Sequence, residues 1–148
     1  MIPMLSIEGF RTEDADEIAE LEKLCFSSPW SREELIKSAS LPYAVYLVAR
    51  VDGAIAGYAG MYAVCGEGGI NDIAVFPQYR RTGVGSALIG ALADAGRKAG
   101  VTVLKLEVRA SNEAALSLYE KCGFRRVGVR RGYYTAPKED AVLLDRGL

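Results

Sequence analysis

The sequence predicts a single α/β domain (α+β in its strand order) with a mixed, mostly antiparallel sheet and helices on both faces. Three observations carry this. Runs rich in β-forming residues at 43–51, 55–64 and 70–76 are separated by glycine-containing turns, which reads as an antiparallel meander. Strand 70–76, helix 84–99 and strand 102–108 then form a crossover of the kind that joins parallel strands. Finally, 148 residues, 50% of them hydrophobic, suit one domain over 1–148 with a real core.

In chain order, Ile2 to Phe10 alternates and reads as a first strand. Thr12 or Asp14 caps the next helix, whose acidic first turn (Glu13, Asp14, Asp16, Glu17) suits the helix dipole and whose stripe Ile18, Leu21, Leu24, Cys25 is expected to be buried. Ser31-Arg32-Glu33-Glu34 is a capping-box pattern starting a short helix to about Ser38. Asp52-Gly53 is a hairpin turn, because Asp-Gly tolerates positive φ. Gly66-Glu67-Gly68-Gly69 reads as a second turn. Ser111 or Asn112 caps a helix that runs through Cys122, and Gly123 ends it. Phe124 to Tyr133 and Ala141 to Leu144 form a last antiparallel pair, joined by a loop around Pro137.

Composition removes several functions. The net charge is −1, so a broad basic surface for nucleic acid is absent. There are no histidines, which excludes His-based triads, His zinc sites and a His general base. Cys25, Cys65 and Cys122 are scattered with no C-x-x-C pair, and read as reduced thiols. No signal peptide and no stretch of ~20 apolar residues is evident, so a cytoplasmic protein without membrane contact is expected. No metal cluster is expected.

The stretch Val75-Phe76-Pro77-Gln78-Tyr79-Arg80-Arg81-Thr82-Gly83-Val84-Gly85 joins a strand to a helix. A helix's first turn has unpaired N–H groups and the positive end of the dipole, and glycine lets an anion approach them. With Arg80 and Arg81 beside it, this reads as a pyrophosphate cradle. It is not a Walker loop, lacking Gly-Lys-Ser/Thr, nor a dinucleotide fingerprint, since Leu88 stands where the third glycine would be. Arg80-x-x-Gly83-x-Gly85 resembles the motif by which the GCN5-related N-acetyltransferase (GNAT) superfamily holds acetyl-CoA. The resemblance implies the GNAT fold, with two neighbouring parallel strands splayed to admit the cofactor's pantetheine arm.

In 104–109, alternation puts Leu104, Leu106 and Val108 on one face and Lys105, Glu107 and Arg109 on the other. On local evidence alone the charged face is equally a solvated face of the sheet, and Tyr119 an amphipathic core tyrosine. The stretch Leu106 to Asn112, then Ala115, Leu118-Tyr119-Glu120 and Gly123-Phe124, resembles the RimI-type N-terminal acetyltransferases within that superfamily. So do Arg130-Arg131-Gly132-Tyr133-Tyr134 with Glu139-Asp140-Ala141, and Phe26-Ser27-Ser28-Pro29-Trp30-Ser31. Known members acetylate the N-terminal alanine of a ribosomal small-subunit protein. The resemblance implies Glu107 as general base and Tyr119 as general acid. It implies that Ile73, Ala74 and Val75 line the pantetheine, that Arg80, Arg81, Thr82, Gly83, Val84, Gly85 and Ser86 hold the pyrophosphate, and that Asn112 also touches acetyl-CoA. Trp30, Tyr133 and Tyr134 would line a peptide groove, although each tyrosine taken alone also fits cross-strand packing. Glu107 and Glu139 would form an acidic mouth for a cationic N-terminus.

The chemistry is consistent with those roles. An α-ammonium with a pKa near ~7.7–8.0 gives up its proton more readily than a lysine near ~10.4. Burial raises a carboxylate's basicity, and a phenol protonates a leaving thiolate without prior ionisation. The partner is then the peptide N-terminus of a ribosomal protein, with no direct nucleic acid, and the enzyme a monomer or weak dimer. Its rivals are a small-amine acetyltransferase and a non-catalytic CoA-binding module. The loop Thr135-Ala136-Pro137-Lys138 departs from the family pattern, which bears on substrate identity.

Overall fold

The computed structural model describes residues 3–148. Among these, seven strands form one sheet in the order β1-β2-β3-β4-β5-β7-β6: β1 (Leu5–Gly9), β2 (Ala44–Val51), β3 (Ala54–Val64), β4 (Glu67–Val75), β5 (Val103–Arg109), β6 (Arg125–Thr135) and β7 (Lys138–Gly147). Every neighbouring pair is antiparallel except β4 and β5. The expected Ile2 at the head of β1 lies outside the described residues. Helices α1 (Ala15–Cys25) and α2 (Arg32–Ala39) pack on one face, around Ile18, Leu21, Leu35, Val48 and Tyr58. On the other lie α3 (Val84–Lys98) and α4 (Glu113–Lys121), around Leu88, Leu92, Leu104, Leu116 and Phe124. The mixed sheet with helices on both faces is therefore as the sequence predicts.

Local chemistry explains most boundaries. Ser31 Oγ accepts the Glu34 N–H at 3.2 Å and Glu34 Oε1 accepts the Ser31 N–H at 3.2 Å, closing the capping box that starts α2. Asn112, not Ser111, caps α4, accepting the Ala115 N–H at 3.1 Å. Gly123 follows α4 at φ +94°.

Four expectations are corrected. Asp14 occupies the N-cap position of α1, but its carboxylate instead accepts the Arg11 N–H at 3.0 Å and pairs with Arg50 at 2.7 Å. Leu24 is 61% exposed, while Glu22 is fully buried beside Ala15, Ile18 and Ala19. The buried face of α1 is thus Ala15, Ile18, Ala19, Leu21 and Glu22, so the expected Ile18 and Leu21 are there and its last member is a glutamate. The second turn is only Cys65-Gly66, and Glu67 to Gly69 already belong to β4. Of these glycines Gly68 serves close approach, since a Cβ there would lie 2.8 Å from Leu104 Cδ2. The final hairpin has a two-residue connection, Ala136-Pro137, so β6 extends through Tyr134 to Thr135.

The feature that positions the site is the limited pairing of β4 with β5. The two meet only at Glu67↔Val103, Gly68↔Leu104 and Gly69↔Lys105, and then part. Just past that point Asn71 is an extra residue in the β3–β4 ladder, since Met61 pairs Ile70 and Gly60 pairs Asp72. Such a bulge bends its strand and sharpens its twist. On the far side, β4 is held tightly to β3. A Cβ on Gly57 would sit 2.5 Å from the Ala74 carbonyl oxygen, which is backbone and cannot rotate aside. Gly57→Ala is therefore expected to destabilise the fold by about 1–3 kcal/mol, the usual cost of overpacking, in a urea unfolding series. An unchanged midpoint would mean β3 and β4 are not this closely apposed.

Candidate active site

The gap between β4 and β5 holds a cavity of about 650 Å³. Its lining includes Ile73 and Asp72 from β4, Leu106, Glu107 and Arg109 from β5, Asn112 and Tyr119 around α4, and Tyr133 and Tyr134 from β6. The segment between α1 and α2 closes it with Phe26, Ser27, Ser28 and Trp30. The structure thus gathers Glu107, Tyr119, Ile73, Asn112, Trp30, Tyr133 and Tyr134 around one space. Ala74, Val75 and residues 80–86 do not line it; they follow from the C-terminal end of β4.

Backbone direction separates Ile73, Ala74 and Val75. Ala74 pairs with Tyr58, and the next Phe76 N–H donates to Ala56 O at 2.8 Å. In an antiparallel ladder successive residues point to opposite sides. Ala74 therefore commits its groups to β3, while Ile73 and Val75 turn theirs toward the side that β5 has vacated. The Val75 carbonyl accepts Arg80 Nε at 3.3 Å, which folds the Arg80 guanidinium back against the strand end; its Nη2 is 3.6 Å from Cys25 Sγ.

The helix head follows. Arg81 has φ +62° and Gly83 φ +89°, a left-handed region that favours glycine at 83. The first N–H engaged within α3 is that of Ala87, donating to Gly83 O at 3.0 Å. The amides of Val84, Gly85 and Ser86 precede it and point along the helix axis. Gly85 is needed for room, since a Cβ there would lie 3.0 Å from Leu118 Cδ2. Open strand edge and amide-lined helix head, joined by a short loop, fit a long thioester arm ending in a diphosphate.

The polar residues divide sharply. Of the three charges on the outward face of β5, Lys105 pairs with Asp145 at 3.3 Å and Arg109 with Glu139 at 3.3 Å. Glu107, exposed at the cavity, has no ion pair among the described residues. Arg109 also donates to Pro137 O at 2.9 Å, to Ala136 O at 3.1 Å and to Ser27 Oγ at 3.3 Å, and lies 4.3 Å over the Tyr134 ring. It thus pins the β6–β7 turn to the segment after α1. Glu139 accepts the Ser111 N–H at 2.6 Å, and Ser111 and then Arg109 hold its carboxyl below the usual range. The expected acidic mouth is therefore corrected: Glu139 is engaged by Arg109 and Ser111, leaving Glu107 alone of the pair. Burial first, and Asp72 second, push the Tyr119 hydroxyl upward, which keeps it a proton donor. Tyr134 is pushed up to about 12, by burial and then by Glu107.

Two cavity residues were not singled out from the sequence. Glu22, fully buried, accepts the Trp30 N–H at 2.8 Å and the Tyr58 hydroxyl at 2.6 Å. Asp72 lies 3.2 Å from that same hydroxyl, and burial and then Glu22 raise its carboxyl to about 8. The available signals were a charge at the i+4 position of an apolar helical stripe and an aspartate inside the apolar run 70–76.

Opened parallel strands that lead into an amide-lined helix head are the architecture of an N-acetyltransferase domain. The sequence model described as the acetyltransferase (GNAT) family matches residues 15–124, and the chain belongs to that family. The ribosomal protein bS18-alanine N-acetyltransferase of Escherichia coli strain K12 is 36% identical over 143 residues, 95% of this chain and 96% of that protein. The crystal structure of the Escherichia coli ribosomal-protein-S18-alanine N-acetyltransferase superposes with a TM-score of 0.87 at 35% identity, covering 97% of this chain and 94% of that one. The N-alpha-acetyltransferase RimI of Mycobacterium tuberculosis is 36% identical over 148 residues, 96% of this chain and 92% of that protein. A Bacillus anthracis acetyltransferase, seen in complex with acetyl coenzyme A, shares the fold at a TM-score of 0.81 and 23% identity, covering 98% of this chain and 100% of that one. Acetyl-CoA is the acetyl donor of this family. Among the described residues no helix is long and apolar enough to cross a membrane, and no group of three or more His, Cys, Asp or Glu could hold a metal.

Asp72 carries a stability consequence. Its folded pKa lies above the ordinary ~3.9, so over the interval up to about 8 the folded state binds the extra proton and stability falls as pH rises. Asp72→Asn should therefore raise the melting temperature at pH 8 and flatten its decline between about pH 5 and 8. A variant that melts lower at pH 8 would show that Asp72 is not held in a costly environment.

Proposed function

We propose that this protein transfers acetyl from acetyl-CoA to the α-amino group at a protein N-terminus, with the N-terminal alanine of a ribosomal small-subunit protein as its natural target. That substrate would place it in the cytoplasm. The observation that carries the reading is the single cavity on which Glu107, Tyr119, Trp30, Tyr133 and Tyr134 converge, beside the amide-lined head of α3. The bS18-alanine acetyltransferases and RimI, similar over nearly the whole chain, support the peptide substrate.

Acetyl-CoA would supply an activated acetyl group as a thioester. The amides of Val84, Gly85 and Ser86, with Arg80 and Arg81, would receive its diphosphate. Thr82 and Gly83 would shape the turn, and the free edge at Ile73 and Val75 would bond its amide-containing arm, with Ala74 packing behind and Asn112 at the opposite wall. The Val75 N–H is suited to hold charge developing on the carbonyl oxygen. Glu107 would accept a proton from the attacking nitrogen, directly or through one water. Tyr119 would give its proton to the departing sulfur. Tyr133, Tyr134 and Trp30 would grip the first residues of the peptide.

The test is competition. The protein is incubated with acetyl-CoA, an alanine-initiated peptide and free amines such as a polyamine and lysine, and products are read by mass spectrometry. Acetyl on the peptide α-nitrogen is expected; preferential acetylation of the free amines would overturn the substrate assignment. Glu107→Gln and Tyr119→Phe should each lower turnover about 10²-fold or more while CoA affinity in calorimetry stays within about twofold. If both variants remain as active as the parent, these two roles are wrong.

A further inference from the structure

Acetylating an ammonium moves two protons off nitrogen. One exposes the lone pair before attack, the other leaves as the amide forms, and the thiolate takes up only one. Glu107 and Tyr119 account for the second proton and for the sulfur. The first has no acceptor assigned within the cavity, and a further carboxylate, Asp72, stands there.

Asp72 lines the cavity from β4, opposite Glu107 on β5. Behind it the Tyr58 hydroxyl touches Glu22 Oε2 at 2.6 Å and Asp72 Oδ2 at 3.2 Å. A phenol has one proton to give, and the shorter contact claims it. Glu22 is already satisfied by that proton and by the Trp30 N–H. A proton arriving on Asp72 therefore finds the Tyr58 oxygen lone pair waiting, and completes a chain from Asp72 through Tyr58 to Glu22. The Tyr58 hydroxyl reaches an ionised Asp72 only as its longer contact, and burial with the neighbouring Glu22 outweighs that hydrogen bond and favours the protonated carboxyl.

Resting on the N-acetyltransferase reading, we propose that Asp72 is a second catalytic residue, which takes the first proton from the substrate ammonium. An N–H bond of the ammonium breaks, its electron pair stays on nitrogen, and an O–H bond forms on the Asp72 carboxylate. The neutral amine then attacks, Glu107 takes the second proton, Tyr119 protonates the thiolate and is reprotonated from Glu107, and Asp72 releases its proton to solvent. One proton leaves per turnover, as the overall reaction requires.

The surroundings match that duty. Asp72 faces Glu22 from α1, Tyr58 from β3, Tyr46 from β2, Tyr119 from α4, Tyr134 from β6, and Glu107 and Arg109 across the cavity from β5. Burial and Glu22 bring its carboxyl to about 8. That places it in the range of an α-ammonium (~7.7–8.0) rather than of an ordinary carboxylate (~3.9). A lysine ammonium near ~10.4 would lose its proton to Asp72 at a cost of about two to three powers of ten.

The experiment is kcat against pH from about 6 to 10, at saturating acetyl-CoA and alanine peptide, for wild type and Asp72→Asn. The wild type should show a rising limb centred near 8. The variant, which keeps the shape and is expected to melt no lower, should fall about 10²-fold in kcat at pH 8 with CoA affinity intact, and any limb left in it is that of the substrate's own ammonium. A kcat unchanged across the pH range in the variant overturns the proposal. Carbon-13 NMR of the wild type, with aspartate carboxyls labelled, gives an independent reading: a resonance assigned to Asp72 that titrates with ordinary carboxylates near ~3.9 also overturns it. If the wild type acetylates only a free amine, the substrate assignment falls, and the same profiles on that amine decide Asp72. A wild type that acetylates nothing overturns both.

Discussion

Everything functional in this molecule follows from two parallel strands that stop pairing. β4 and β5 share three residue pairs and then diverge, with the Asn71 bulge just beyond the last of them. An unpaired strand edge in the middle of a sheet is an unfavourable thing to bury, because its N–H and C=O groups lose their ladder partners. Here the exposed edge becomes a ligand-sized opening. Its mouth is walled by α4 and the β6–β7 hairpin on one side and by the segment between α1 and α2 on the other, and Arg109 ties those walls together. The same strand then delivers the chain, within a short loop, to the head of α3. Geometry that would be a packing fault elsewhere thus sets the distance between a phosphate-binding end and a proton-handling end.

The electrostatics of the opening are arranged by partnering rather than by net charge. Around β5, Lys105, Arg109, Glu139 and Asp145 neutralise one another, and Glu107 is left without an opposite charge. On the β4 side, burial acts on Asp72, and Glu22 and Tyr58 brace it from behind. Tyr119 and Tyr134, both pushed upward by burial, remain protonated at neutral pH and so work as donors. Holding a carboxyl such as Asp72 in this environment works against folding stability, which is the usual relation between a reactive site and the scaffold that supports it.

Much of this was legible in the residues. The meander, the crossover, the capping box at Ser31 and the loop from Arg80 to Gly85 all announce themselves through local chemistry, because turns, caps and helix heads depend on a few adjacent residues. The grouping of Glu107, Tyr119, Trp30, Tyr133 and Tyr134 was implied by the resemblance to the RimI-type acetyltransferases, since each residue alone also fitted packing or a solvated face. What the sequence hid depends on long-range contact. Glu22 sits on the apolar face of α1, and counting only hydrophobic positions assigned that face to Leu24. Gly68 looked like turn chemistry but is there to let Leu104 and Met61 close in. Asp72 sits in an apolar run whose bulge shows only once β3 and β4 are paired, and Glu139 could not be seen to be neutralised until the β6–β7 turn brought Arg109 against it.

The central claim is that the parted strands and the head of α3 together form one continuous seat for a CoA thioester. A crystal structure with a conjugate of CoA and an alanine-initiated peptide tests it most directly. The account predicts the diphosphate against the amides of Val84, Gly85 and Ser86, the arm bonded to the backbone of Ile73 and Val75, and the α-nitrogen between Glu107 and Asp72. A conjugate lying outside the β4–β5 gap, or a diphosphate away from the α3 head, would contradict it.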